Sequence, residues 1–267
     1  MNIFKLYLFY TKISLKSWFQ YKIDACLRSF AVFLREGANI IVIYLTLKSF
    51  NDLNGWTTFE LLFLYSFIFF TYSILIVFFT GLRDIERLVN TGNFDRFLLR
   101  PQGVLFQTLA SNSDWFAAIG HGMLGLILII FSAYKIGIKF TFFNIFYFIF
   151  SIISGVFIQG AIFLFIASIS FFSIKVNNLR NILYYDIRQF AGYPIDMFPK
   201  ILQILMIYII PFAFVNFFPA QFFLNKFDVN NFHTAYIYIA PIIGFILYFL
   251  AYMFWKFSLK HYKSTGN

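Results

Sequence analysis

Residues 59–80, FELLFLYSFIFFTYSILIVFFT, lead without a break into residues 81–103, GLRDIERLVNTGNFDRFLLRPQG. The first stretch carries a single charge, Glu60, at its start. A helix of about 20 apolar residues crosses a hydrocarbon core of about 30 Å, so 59–80 reads as a membrane span. The second stretch holds seven charged residues in a chain where only 12% are charged. The chain of 267 residues is 61% hydrophobic and 24% aromatic, against about 45–50% apolar in an ordinary soluble domain. The expected fold is an all-α integral membrane protein, one transmembrane domain over residues 1–267.

Working outward, six runs have the length of a span: 27–50, 59–80, 113–134, 142–173, 198–218 and 235–257. The first is interrupted by Arg28, Arg35 and Glu36; the fifth contains Pro211 and the sixth Pro241. With the N-terminus inside, Lys48, Lys135, Lys139 and Lys226 lie outside, and the other 17 of the 21 Lys and Arg lie inside. The expected topology is six spans with both termini and the island 81–103 cytoplasmic. The net charge of +10 is then loop charge that sets orientation, and nucleic acid is not an expected partner. The N-terminus lacks the order of a signal peptide and is expected to be retained. Residues 3–21 read as an interfacial helix, with Lys5, Lys12 and Lys16 on one side and Phe4, Leu8, Leu15 and Trp18 on another. An N-terminal extension of the first span is the alternative. Cys26 stands alone, which excludes a disulfide framework or cysteine metal cluster. His121, His233 and His261 are scattered and support no metal site.

Within the island, Leu82, Ile85, Leu88 and Val89 share a helical face. Arg83, Asp84, Glu86 and Arg87 lie largely opposite, and Asp84 and Arg87 are spaced to pair. Asn90-Thr91-Gly92 is a helix stop with Gly92 as left-handed cap. Asn93 is placed to cap a second short helix, in which Phe94, Phe97 and Leu98 share a side. Pro101 ends it. In the spans, Arg35 and Glu36 read either as a snorkelling pair or as a cavity or helix contact. His121, among Gly120, Gly122 and Gly125, reads as a hydrogen-bonded close helix contact or as a substrate or proton site. Gln159 reads as glue between helices. Asp186, Arg188 and Asp196, with Lys175 and Arg180, read as a solvated cytoplasmic linker or a second partner contact.

GLRDIERLVNTGNFDRFLLRP resembles the cytoplasmic loop of ABC-2-type transporter permeases, whose small six-span members show G-x-x-D-x-x-L-x-R-P. Here that is Gly92, Asp95, Leu98 and Arg100-Pro101. Tyr193-Pro194, Phe198-Pro199, Ile210-Pro211 and Phe218-Pro219 resemble the family's prolines around the fifth span. The resemblance implies a type V exporter-like fold and a permease paired with a separate ABC ATPase. It implies a dimer, with itself or a similar permease, in the cell (inner) membrane. Arg83, Asp84, Glu86, Arg87, Gly92, Asp95, Arg96, Arg100 and Pro101 would form the ATPase-coupling segment. It implies that residues 219–234 dip back into the outer leaflet, and that transport runs outward. No G-x-x-x-x-G-K-[ST] phosphate loop occurs, so ATP and magnesium would be bound by the partner and no cofactor by this chain. A lipid-modifying membrane enzyme and an ion-coupled secondary transporter are the alternatives. The first would require clustered acids, His or Ser; the second an internal repeat and mid-membrane acids.

Overall fold

The computed structural model describes residues 3–20, 22–49, 55–173, 175–226 and 232–264, and among these there is no β-strand. Helix α1 is Ile3–Gln20, α2 Lys22–Ser49, α3 Thr58–Phe78, α4 Ile85–Asn90, α5 Asp95–Leu98 and α6 Val104–Ser111. Helix α7 is Trp115–Ile136, α8 Phe142–Ile169, and α9 is the helical segment 177–190 with a wide π turn at its centre. Helix α10 is Lys200–Ile209, α11 Phe217–Leu224 and α12 Ala235–Lys260.

Among the described residues, four helices, α3, α7, α8 and α12, are long and apolar enough to cross a membrane. The bent pair formed by Lys200–Ile209 and Phe212–Leu224 makes a fifth only if counted as one span. Helix α2 carries Asp24, Arg28, Arg35 and Glu36 along its length. It still runs the bundle's length beside α7. Arg28 meets Asp114 at the start of α7, and Ile40 and Tyr44 pack with Leu62, Leu128 and Phe59 toward the start of α3.

Helix α3 is apolar on every side, as a helix surrounded by others must be. Its start is fixed by a capping box, Glu60 N–H on Thr57 Oγ1 and Thr57 N–H on Glu60 Oε2. Helices α8 and α12 pack closely. Pro241 cannot donate to the Ile237 carbonyl one turn earlier, and Tyr147 of α8 supplies that hydrogen bond at 2.7 Å. Ser154 of α8 donates to Ala240 O at 2.6 Å and accepts from Gly244 N at 3.0 Å. The backbone groups disturbed by the proline are thus satisfied within the protein, as a lipid setting demands.

The expected fifth span, 198–218, is not one helix. Ile210 leaves helical geometry (φ −126°, ψ 83°) ahead of Pro211, and the chain bends by 73°. Both limbs return to the same end of the bundle. Asp196, just before them, accepts from Trp56 Nε1 at 3.1 Å. Lys226, just after them, bonds Gly55 O at 2.6 Å and Glu60 at 2.9 Å. Between these points Val215 reaches Gly155 and Asn216 donates to Ala191 O. The segment is therefore a hairpin within the bundle, and α11 is its returning limb. Of the expected dip over 219–234, residues 219–224 belong to helix α11, and residues 227–231 lie outside the described residues.

The stretch expected to be a cytoplasmic linker runs from one end of the bundle to the other. Val176 N–H meets Glu86 beyond the end of α3, and Asp196 meets Trp56 before its start. The two ends are about 30 Å apart, the length of α3 at 1.5 Å per residue. Residues 176–196 thus make a full pass, with Tyr184 completely buried. Its short, polar helix buries Tyr184 and Ile187 against the bundle and leaves Asn177, Asn181, Asp186 and Gln189 exposed.

Gln159 of α8 ties this pass to the core. It donates to Thr71 Oγ1 at 2.8 Å and accepts from Tyr184 OH at 2.6 Å, linking α3, α8 and α9. Gln159→Leu keeps the volume and strands buried hydroxyls, so it should cost about 1–3 kcal/mol. A lower melting temperature in detergent is the expected result; an unchanged one contradicts the link.

Candidate functional site

The island forms a compact platform at the end of α3. Thr80–Asp84 is a tight 3-10 turn that carries α3 into α4. Leu82, Ile85, Leu88 and Val89 are all buried, as their spacing predicts. Gly92 closes α4 with φ +70°, the left-handed position glycine adopts freely. Phe94 and Phe97 are buried, with Phe94 against Phe171 and Tyr262, each at 5.1 Å. Gln107 braces the turn into α6, donating to Phe97 O at 3.0 Å and Gln102 O at 2.7 Å. Tyr7 of α1 stacks on Phe78 and meets Phe106 edge-on, which seats the N-terminal helix beside the platform with Lys5, Lys12 and Lys16 exposed. The side chains of Phe4, Leu8, Leu15 and Trp18 lie outside the described residues.

Two local expectations are corrected. Asn93 does not cap α5; its amide donates to Thr91 Oγ1 at 2.9 Å, and α5 starts without a side-chain cap. Leu98 does not join Phe94 and Phe97, because four residues make only one turn and the chain leaves the helix before it can turn inward. Leu98 is exposed, and Leu99 is 86% exposed.

The acids and the arginines of the platform divide their work. Asp84 accepts from Asn112 Nδ2 at 2.8 Å and pairs with Arg87 at 3.5 Å. Glu86 accepts from Val176 N at 3.0 Å. Asp95 accepts from Tyr262 OH at 2.8 Å and Ser264 Oγ at 2.6 Å, so the tail after α12 clasps the platform. Arg180 donates to Arg83 O at 3.0 Å. All three acids thus fasten the platform to the rest of the chain. Arg83, Arg87, Arg96 and Arg100 stay exposed, as does Leu99, with Pro101 ending the segment. Such a face can receive an acidic surface with an apolar recess.

The hydroxyl groups of Ser264 and Tyr262 hold the Asp95 carboxyl below its ordinary range. Burial and its bond to Asp95 push Tyr262 up to about 12. A lowered carboxyl stabilises the folded state above its unfolded pKa of about 4, and that contribution is lost as pH falls through the lower folded value. A raised phenol contributes below about 10 and loses its contribution as pH rises through its folded value. The clasp should therefore hold from about pH 5 to 9. Tryptic cleavage after Lys263 should be flat over the accessible part of that window and faster in Asp95→Asn. A sharp change near pH 7 would contradict the clasp.

A second cluster lies between the bundle's ends. Glu36, Val42, Tyr65, Ile68, Tyr185, Arg188, Gln189 and Tyr193 line an open cleft of about 490 Å³ between α2, α3 and the 176–196 pass. Arg35 bonds Glu36 Oε1 through Nε at 3.0 Å and Nη2 at 2.7 Å. The Arg188 guanidinium lies 3.8 Å from the Tyr72 ring centre. His121 is buried against Tyr72 and Phe69, at 4.9 and 5.9 Å, and no hydrogen bond reaches its Nδ1 among the described residues. Among the described residues the expected bond across the helix contact is not made through Nδ1. The glycines do bring helices together: a Cβ on Gly125 would meet the Phe70 backbone at 2.9 Å.

Sequence reading brought Arg35 and Glu36 together and missed Arg188, Tyr65, Tyr72 and Tyr185 beside them. The available signal was the spacing of Leu183, Tyr184, Ile187 and Ala191, a helical apolar face within a polar stretch. Tyr262 and Ser264 carried no local signal.

Comparisons with curated proteins and with solved structures found no match. The family described as ABC-2 family transporter protein matches residues 33–266, and the chain belongs to that family of multi-pass ABC transporter permeases.

Proposed function

We propose that the chain is the membrane subunit of an ABC exporter, driven by a separate ATPase that docks on residues 81–103. The observation that carries this reading is the platform's division of charge, with Asp84, Glu86 and Asp95 hydrogen-bonded to the rest of the chain and Arg83, Arg96, Arg100 and Leu99 exposed. In this reading α2, α3, α7, α8, the 176–196 pass and α12 are six crossings, with both termini cytoplasmic in the inner membrane. Supporting that orientation, Lys48, Lys135, Lys139, Lys200 and Lys226 belong to the far end and Arg35 and Arg188 lie between. The remaining Lys and Arg gather at the platform end. Two such permeases, identical or similar, pair around the pathway, and ATP and magnesium stay on the ATPase.

The mechanism follows from the fasteners. Closure of the ATPases on nucleotide displaces the platform. Thr80–Asp84 passes that motion straight into α3, the central helix. The bonds from Val176 to Glu86 and from Arg180 to Arg83 O pass it to the 176–196 pass, whose Arg188, Gln189 and Tyr193 face the cleft. Movement at the platform therefore reshapes the cleft.

The test is co-expression with a candidate cassette ATPase from the same genome, followed by purification through a tag on the permease. Retention of the ATPase with altered ATP hydrolysis is the expected result. A permease that purifies alone and leaves hydrolysis unchanged would contradict the proposal.

A further inference from the structure

The cleft between α2, α3 and the 176–196 pass is lined by one cation, Arg188, and one acid, Glu36, and that acid is already engaged by Arg35. Arg35 and Glu36 neutralise each other. Arg188 shares the cleft with Glu36, and the contact its guanidinium makes among the described residues is with the face of Tyr72, not with a carboxylate or other acceptor. Asp186 lies two residues earlier and is exposed; side chains two apart on a helix do not face each other. A guanidinium between the ends of a membrane bundle is costly unless something anionic or wet meets it. Its ring contact uses one face of the plane, while its N–H groups lie in the plane and suit a carboxylate or phosphate. Tyr65, Tyr185, Tyr193 and Gln189 add neutral polar groups around it. The adjoining wall is apolar: Val42 lines the cleft at 62% exposed, and Leu45, nearly a turn away, is 56% exposed.

We propose that this cleft binds amphipathic acids, with the carboxylate or phosphate head on Arg188 and the apolar tail along Val42 and Leu45 of α2. The inference names the cargo class for the permease reading and rests on it in that respect. The same chemistry could come from a transported acid or from a bulk anionic phospholipid.

The experiment uses the full chain in phosphatidylcholine nanodiscs, without ATPase, and the fluorescent probe 11-(dansylamino)undecanoic acid. Saturable binding is expected, with the methyl ester of the probe competing at least about tenfold more weakly, the effect of one charge-assisted contact. Arg188→Gln should weaken binding of the acid by a similar factor, Arg188→Lys should recover much of it, and Lys135→Gln should change nothing. Glu36→Gln removes the cleft's carboxylate and should tighten binding, which gives a second reading if Arg188→Gln does not fold. Phosphatidylglycerol at about a third of the lipid separates the sources. Displacement of the probe identifies a bulk lipid headgroup, and retention identifies single-chain acids as ligand. Equal binding of acid and ester, or full affinity in Arg188→Gln, would overturn the proposal. Since no ATPase is present, failure here leaves the docking reading standing, and failure of docking leaves this site standing.

Discussion

Replacing Arg83, Arg96 and Arg100 together by glutamate is expected to abolish association with the ATPase while leaving the permease folded. None of the three side chains holds the platform together. Arg83 contributes only its carbonyl to the Arg180 bond, and Arg96 lies over the outer side of Phe97 at 5.3 Å. Exposed ion pairs are individually worth only about 0.2–1 kcal/mol, so single substitutions should have modest effects. Reversal of all three places like charges against an acidic partner, which costs several kcal/mol. The affinity should fall by at least about 100-fold, since each 1.4 kcal/mol is tenfold. Binding to immobilised permease and stimulated ATP hydrolysis measure it, and full binding by the triple variant contradicts the assignment. The corresponding acid variants should behave differently. Asp84→Asn and Asp95→Asn release internal fasteners, so they should loosen the platform and raise its protease sensitivity before they affect docking.

Gly244→Val is expected to have the largest effect on stability. A Cβ at Gly244 would lie 2.1 Å from Ser154 O and 2.7 Å from Ser154 C, both backbone atoms of α8. No rotamer change relieves that overlap, so α8 and α12 must separate. Separation also breaks the Ser154 bridge between Ala240 O and Gly244 N, and the Tyr147 bond that replaces the one lost at Pro241. Overpacking of about 1–3 kcal/mol and a stranded buried polar group of similar cost together exceed roughly 3 kcal/mol. The variant should melt far below the parent or fail to purify as a monodisperse species. Gly37→Ala is the control: nothing lies within 4 Å of its Cβ position, and alanine favours helix by about 1 kcal/mol. Equal melting of Gly244→Val and the parent would show that α8 and α12 do not meet as described.

The platform was legible in the sequence because its structure is local. Leu82, Ile85, Leu88 and Val89 repeat at helical spacing, and Gly92 needs only its own backbone to stop α4. The exposure of Leu98 was not legible, because it depends on where the chain goes after Arg100. The 176–196 pass was hidden for a related reason. Hydropathy detects a helix that faces lipid, and Asn177, Arg180, Asn181, Asp186 and Arg188 mask a helix whose buried side meets protein. Its membership of the bundle rests on Glu86, 90 residues from Val176, and on Gln159, 25 residues from Tyr184. Pro211 signalled a break without its direction; the direction comes from Trp56 and Glu60, which anchor the chain on either side of the hairpin. The clasp of Asp95 joins residues 167 and 169 positions apart, a pairing that no local pattern announces.

Replacing Leu99, at 86% exposure the most open apolar residue of the platform, by photoreactive p-benzoylphenylalanine tests the docking surface most directly. Irradiation of the co-purified complex should link residue 99 to the ATPase subunit, and the link should vanish when Arg83, Arg96 and Arg100 are reversed. Links from residue 99 only to lipid or to a second permease, with the ATPase bound and active, would show that the ATPase engages this protein elsewhere.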